Sequence, residues 1–187
     1  MSNKELEDKL QECGAIKFGK FVLASGKDSR YYIDLKKAIT RPKILEMICE
    51  YVIDEIVNCC SRADYIACVE LGSVPIGTIV SVTTEIPLLI VRKSQKDHGI
   101  KNRVIGYSEK NKVAILVEDV TTTGGSVISA VQALRDEGLI VKIVISIVDR
   151  EEGAKEALAK EGLILISLIR ASDLLKKYEI IDKNNVY

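Results

Sequence analysis

Five short apolar runs rich in β-branched residues constrain the fold of this chain more than any other feature: Tyr65 to Val69, Pro87 to Val91, Val113 to Val117, Ile140 to Ile147 and Leu163 to Ile169. Their lengths and composition suit strands, and their recurrence has the rhythm of a parallel sheet. Most are separated by stretches with apolar residues at helical spacing, and another such stretch precedes them. These helical patterns run over Pro42 to Cys60, Val74 to Thr84, Ser126 to Glu137 and Glu151 to Glu161. Pro42 fits a first helical turn, while Gly138 and Gly162 fit C-terminal caps. Strands alternating with helices predict an α/β fold: a central, mostly parallel sheet flanked by helices.

Ahead of this unit, Lys17 to Leu23 and Arg30 to Leu35 flank Ala24-Ser25-Gly26-Lys27-Asp28-Ser29. This pattern predicts two short strands around a turn, preceded by an amphipathic helix near Lys4 to Cys13. Residues 1–40 are therefore expected to form a small N-terminal hood. With no internal repeat, low-complexity tract or linker, 1–187 is expected to be one domain. Ser94 to Tyr107 follows a strand and has few apolar residues. Loops of this length inside a compact domain are uncommon and often serve as active-site lids, so 94–107 is expected to be a mobile loop.

Charge and cysteine content narrow the possible functions. The 27 basic and 27 acidic side chains cancel, leaving no global field to attract nucleic acid or an anionic membrane. Any anion site must be local. No apolar run is long enough to span a bilayer, and the opening MSNKELEDKL does not resemble a signal peptide. A cytoplasmic location is expected. Cys13, Cys49, Cys59, Cys60 and Cys68 are odd in number, with no C-x-x-C spacing and no histidine near them in sequence. They are expected to be free, mostly buried thiols in a reducing compartment, and neither structural zinc nor a disulfide framework is expected.

The sharpest local signal follows the third run. Val113 to Val117 leads into Glu118-Asp119-Val120-Thr121-Thr122-Thr123-Gly124-Gly125-Ser126, after which a helical pattern begins. The glycines let backbone N–H groups approach a ligand closely, the hydroxyls add donors, and a helix N-terminus presents unpaired N–H groups with partial positive charge. Such a loop can hold a phosphate. An acid pair just before it suits a sugar phosphate, whose hydroxyls need acceptors and whose partner can be Mg²⁺. The same residues would also serve as an ordinary capped strand-to-helix turn. A Walker loop and a dinucleotide fingerprint are excluded by spacing.

A second concentration lies upstream. Arg92-Lys93-Ser94-Gln95-Lys96-Asp97-His98-Gly99, with Lys101 and Arg103 beyond, gathers five cations and the only histidine of the chain into twelve residues. A strongly anionic group such as pyrophosphate fits there, although a solvated basic loop would have the same composition.

Val117 to Ser126 resembles the phosphoribosyl pyrophosphate motif of type I phosphoribosyltransferases. The spacing R-K-x-x-K-x-H-G, continued to Gly106, resembles the catalytic loop of the orotate phosphoribosyltransferases within that group. Phe21 to Asp34 and Val148-Asp149-Arg150-Glu151-Glu152-Gly153 resemble two further segments of the same subfamily, and the whole resemblance runs from Lys17 to Gly153. It implies the type I phosphoribosyltransferase fold with a flexible catalytic loop. It also implies transfer of ribose 5-phosphate from phosphoribosyl pyrophosphate to orotate, giving orotidine 5′-monophosphate and pyrophosphate in pyrimidine biosynthesis.

By resemblance, Glu118 and Asp119 lie near the ribose hydroxyls and Thr121 to Ser126 wraps the 5-phosphate. Arg92 and Lys93 lie near pyrophosphate, Lys96 and His98 sit on the lid, and Thr122 and Arg150 meet orotate. Mg²⁺ is the implied cofactor, bound through the substrates with Glu118 and Asp119 as its possible side-chain contacts. A homodimer is implied, in which the lid serves the neighbouring subunit. The sequence departs from common bacterial members at Ala24, where they carry a lysine, and at Leu71-Gly72, where they carry Tyr-Lys. Leu71 to Ile76 is read either as a backbone pyrophosphate site or as a turn capped by Ser73. Rival functions are a purine-base phosphoribosyltransferase and a non-catalytic phosphoribosyl pyrophosphate sensor.

Overall fold

The structure is a computed structural model that describes residues 3–22, 28–59, 62–93 and 102–176. Helix α1 (Lys4–Glu12) leads into an antiparallel hairpin of β1 (Ile16–Val22) and β2 (Asp28–Ile33), followed by a single turn of helix, α2 (Lys36–Ile39). These elements form the expected N-terminal piece, and α2 is an addition to it. The α/β unit then runs α3 (Pro42–Cys59), β3 (Tyr65–Val69), α4 (Val74–Thr84), β4 (Leu88–Val91), β5 (Val104–Ile105), β6 (Val113–Thr121), α5 (Gly125–Asp136), β7 (Ile140–Asp149), α6 (Ala154–Lys160) and β8 (Ile164–Arg170).

The sheet order is β5-β4-β3-β6-β7-β8, and every pair is parallel except β4 with β5. Both faces are covered. On one side Ile66, Ile115, Val117, Ile145 and Ile147 pack with Ile48 and Val52 of α3 and with Ile76 and Val80 of α4. On the other, Ala67, Val69, Leu116 and Val144 pack with Val127, Val131 and Leu134 of α5 and with Leu158 of α6. Neighbouring residues of each strand thus enter opposite cores, which explains why the strands read as continuous apolar runs. Each fully buried aliphatic side chain, such as Leu116 or Ile145, contributes about 1.5–3 kcal/mol.

Helix ends follow the expected chemistry. Pro42 opens α3, and Gly138 and Gly162 take φ of 86° and 70° just past α5 and α6, where their N–H groups bond back to Arg135 O and Ala159 O. Two strands extend past their apolar runs. β6 reaches Thr121 and β7 reaches Asp149, because backbone pairing continues as Val120 with Val148 and Thr121 with Asp149. Polar residues are tolerated there because they lie at the carboxyl end of the sheet, where Thr121 and Asp149 bond to each other.

Residues 94–107, expected as one loop, do not all lie in a loop. Val104 and Ile105 pair antiparallel with Val91 and Ile90, and Gly106 packs where any side chain would press on Leu89. Residues 94–101 lie outside the described residues. Cys13, Cys49 and Cys68 are free and buried, and Cys59 is half-buried. Burial pushes the Cys49 and Cys68 thiols up to about 12, so they behave as small hydrophobes. Cys60 also lies outside the described residues. None of the described helices is long and apolar enough to cross a membrane.

Candidate active site

The sheet order reverses between β3 and β6. From β3 the chain turns to α4 on one face, and from β6 it turns to α5 on the other, so their carboxyl ends open a crevice of the kind that takes ligands in open α/β sheets. Of the residues singled out in the sequence, Glu118, Asp119, Thr121 to Ser126 and Arg150 lie at or just past the carboxyl ends of β6 and β7.

On the β6 side, Glu118 is buried, with only 5% of its surface exposed. Burial first, and then its hydrogen bond with Asp119 and the charge of that residue, push the Glu118 carboxyl up to about 9, with nearby Lys93 opposing the shift. Asp119 N–H donates to Glu118 Oε1 at 3.0 Å, and Val120 N–H donates to Asp119 Oδ1 at 2.9 Å, which locks the acid pair to its own backbone. Thr121 is turned inward. Its hydroxyl lies 3.2 Å from Ser146 Oγ and 3.3 Å from Asp149 Oδ1, so it pegs β6 to β7 and leaves the open part of the cradle to Thr122, Thr123, Gly125 and Ser126, with Gly124 buried between them.

Gly124 adopts φ of 85°, a backbone region open mainly to glycine, and it starts α5 one residue earlier than the helical pattern suggests. No side chain caps α5. Its first N–H groups therefore face the exposed loop of Thr123, Gly125 and Ser126, as an anion cradle requires. Two backbone bonds dock this loop to the β7–α6 connection: Arg150 N–H to Thr121 O at 2.9 Å and Ala154 N–H to Thr122 O at 3.1 Å.

That docking sets Arg150 beside the cradle. Its guanidinium lies 5.5 Å from the centre of the Tyr31 ring, and the Tyr31 hydroxyl approaches Arg150 O at 3.4 Å. Nε lies 2.9 Å from Glu152 Oε1 as an ion pair, but the N–H is not aligned for a hydrogen bond. Tyr31 brings the hairpin onto the site. In the sequence Tyr31 and Asp149 stand out only as members of longer segments with no role of their own, and Ser146 does not stand out at all. An acid ending a long apolar run was the one signal that pointed to Asp149.

On the β3 side, Gly72 passes so close to Asp119 that any side chain would collide with its carboxylate. A lysine at this position would therefore require the Asp119 carboxylate to move. The Ser73 hydroxyl does not cap α4. It accepts Val69 N–H at 2.9 Å and donates to Val69 O at 2.8 Å, closing the turn and leaving the N-terminus of α4 without a side-chain cap. Ala24 lies outside the described residues.

Arg92 and exposed Lys93 stand just past β4, and Lys93 N–H donates to Glu70 Oε1 at 2.9 Å. Arg103, counted by sequence among the lid cations, has a different use. It donates to Arg92 O and to both oxygens of Ser129, which binds it to protein and not to an open anion site. Lys96, His98 and Lys101 lie outside the described residues. Among the described residues there is no group of three or more His, Cys, Asp or Glu able to hold a metal.

A phosphate-type cradle at the switch point of a mostly parallel sheet, preceded by an acid pair, defines a sugar-phosphate-handling α/β domain. Residues 37–177 match the family model described as a phosphoribosyl transferase domain. The chain is 50% identical over 173 residues to an orotate phosphoribosyltransferase of Methanosarcina mazei, covering 92% of this chain and 91% of that one. It is 51% identical over 165 residues to the enzyme of the same description from Methanocaldococcus jannaschii, covering 88% and 92%. The crystal structure of orotate phosphoribosyltransferase from Aeropyrum pernix superposes with a TM-score of 0.85 at 30% identity, over 93% of this chain and 98% of that one. The chain belongs to the orotate phosphoribosyltransferase family.

Proposed function

We propose that this protein transfers ribose 5-phosphate from phosphoribosyl pyrophosphate to orotate, forming orotidine 5′-monophosphate for pyrimidine biosynthesis and releasing pyrophosphate. A C1–O bond to pyrophosphate breaks and a C1–N bond to the base forms. The observation that carries this reading is the placement of Arg150: it is docked to the phosphate cradle through Thr121 and backed by the Tyr31 ring. A guanidinium fork can meet the planar carboxylate of orotate in two parallel bonds, and neutral bases such as uracil lack that group.

The remaining roles follow from position. Thr122 to Ser126 and the uncapped start of α5 hold the 5-phosphate, and Glu118 with Asp119 accepts from the ribose hydroxyls. Arg92 and Lys93 face the pyrophosphate, and Lys96 and His98 join them by resemblance. Positioning and fixed charge supply most of the rate, so no covalent nucleophile is needed.

Mg²⁺ is the proposed cofactor. The donor set suits a cation shared with the substrate: two adjacent carboxylates stand at the crevice, one of them held neutral by burial until a positive partner arrives. Bound there, Mg²⁺ would supply positive charge to the departing pyrophosphate. A homodimer in which the 94–101 segment serves the neighbouring site belongs to the same reading, as does a cytoplasmic location, which the free thiols suit.

The test is donor-dependent loss of orotate absorbance with Mg²⁺ present, run beside adenine, hypoxanthine and uracil. Consumption of orotate alone is expected. Consumption of a purine base in its place would assign the cradle to a different transferase, and binding of donor with no base consumed would leave a sensor.

A further inference from the structure

Arg92 and Arg103 are chemically alike, but the fold uses them in opposite ways. The Arg103 guanidinium turns to protein oxygens. Nε and Nη2 donate to Arg92 O at 3.2 and 3.1 Å, while Nη1 donates to Ser129 O at 3.2 Å and Ser129 Oγ at 3.0 Å. Arg103 O in turn accepts Arg92 N–H at 2.9 Å, so both backbone groups of Arg92 are held by one residue. The next residue is fixed from the other side, Lys93 N–H donating to Glu70 Oε1. The Arg92 side chain, by contrast, makes no hydrogen bond or ion pair among the described residues, while its backbone is clamped.

Ser129 gives the clamp its direction. It lies one turn into α5, the helix whose N-terminus forms the cradle. Arg103 therefore adds a polar tie between the end of β4 and the helix that opens at the cradle, beside the apolar packing of Leu89 and Val91 against Val127 and Val131. A guanidinium is suited to this, since its planar fork sets two N–H groups on Arg92 O and a third nitrogen on the two oxygens of Ser129, and a lysine ammonium has no such fork.

We propose that Arg103 is a positioning residue that sets the Arg92 side chain at a fixed distance from the phosphate cradle, and so acts on the pyrophosphate group through Arg92. The inference rests on the proposed role of Arg92 toward pyrophosphate. Its loss should let the Arg92 backbone drift, and errors near 1 Å in the placement of a binding group can cost as much as a hundredfold in rate.

A double-mutant cycle on pyrophosphate affinity, read by calorimetry with Mg²⁺ present, tests this. Arg103→Met is expected to weaken pyrophosphate about tenfold when Arg92 is present and less than about twofold in an Arg92→Ala background, because coupled residues lose their energy only once. Thermal unfolding recorded in parallel should remain a single cooperative transition. If Arg103→Met does not fold, Arg103→Lys replaces it in the same cycle, with a smaller loss expected and the same dependence on Arg92. Equal losses in the two backgrounds, or no loss in either, overturn the assignment. Failure of the wild type to consume orotate would refute the functional reading, whereas this cycle measures pyrophosphate alone and still decides the role of Arg103.

Discussion

Glu118 holds a proton that the unfolded chain would release. An ordinary glutamate titrates near 4.5, whereas burial and the adjacent Asp119 carboxylate raise the folded group to about 9. Between these values the folded state binds the extra proton, so the contribution of Glu118 is most favourable below about pH 4.5 and is lost as pH rises toward 9. The slope is about 1.4 kcal/mol per pH unit, and the full window sets a ceiling of roughly 6 kcal/mol. Glu118→Gln removes the titration while keeping an oxygen to accept Asp119 N–H. Chemical unfolding of both proteins, without donor or divalent cations, at about pH 6 and pH 8.5 would read the difference directly. Groups titrating alike in both proteins cancel, and the variant should gain about 3 kcal/mol relative to wild type between the two conditions. Its transferase activity should fall, a trade of site chemistry against stability. A stability difference that stays constant across this interval would refute the assignment of a buried, proton-holding Glu118.

Three further outcomes are expected. Gly72→Ala places a methyl group against the Asp119 carboxylate, and kcat/KM for the donor should drop at least about tenfold in steady-state assays. Arg150→Lys loses the fork and the stacking on Tyr31, so KM for orotate should rise about 10- to 100-fold while donor affinity changes little, as titration of each substrate would report. Lys96→Ala, argued from the resemblance, should lower kcat about a hundredfold with orotate binding nearly unchanged; equal losses in both would contradict a role confined to the transition state.

Much of the fold could be read from the sequence because burial on both faces leaves an unmistakable mark. Ile115 and Val117 enter one core and Leu116 the other, so β6 has no polar position until Glu118. The cradle was legible for a related reason: Gly124 and Gly125 sit where the backbone bends at the start of α5, and the acid pair stands just before the short run of threonines that leads to them. What escaped notice depends on contacts distant in sequence. Nothing near Arg103 indicates that it meets Ser129, 26 residues away, instead of an anion. Tyr31 reaches Arg150 across 119 residues, and the Ser73 hydroxyl bonds back to Val69 although its position suggests a cap. A polar side chain in a strand-to-helix turn has several partners within reach, and tertiary packing chooses among them.

The most direct test of the account is identification of the products when the protein is incubated with orotate, phosphoribosyl pyrophosphate and Mg²⁺, followed by phosphorus NMR. Orotidine 5′-monophosphate and pyrophosphate appearing in equal amounts, with no reaction when orotate is omitted, is the predicted result. Ribose 5-phosphate and pyrophosphate forming at the same rate with or without orotate would contradict it, because the crevice would then activate the donor without positioning the base.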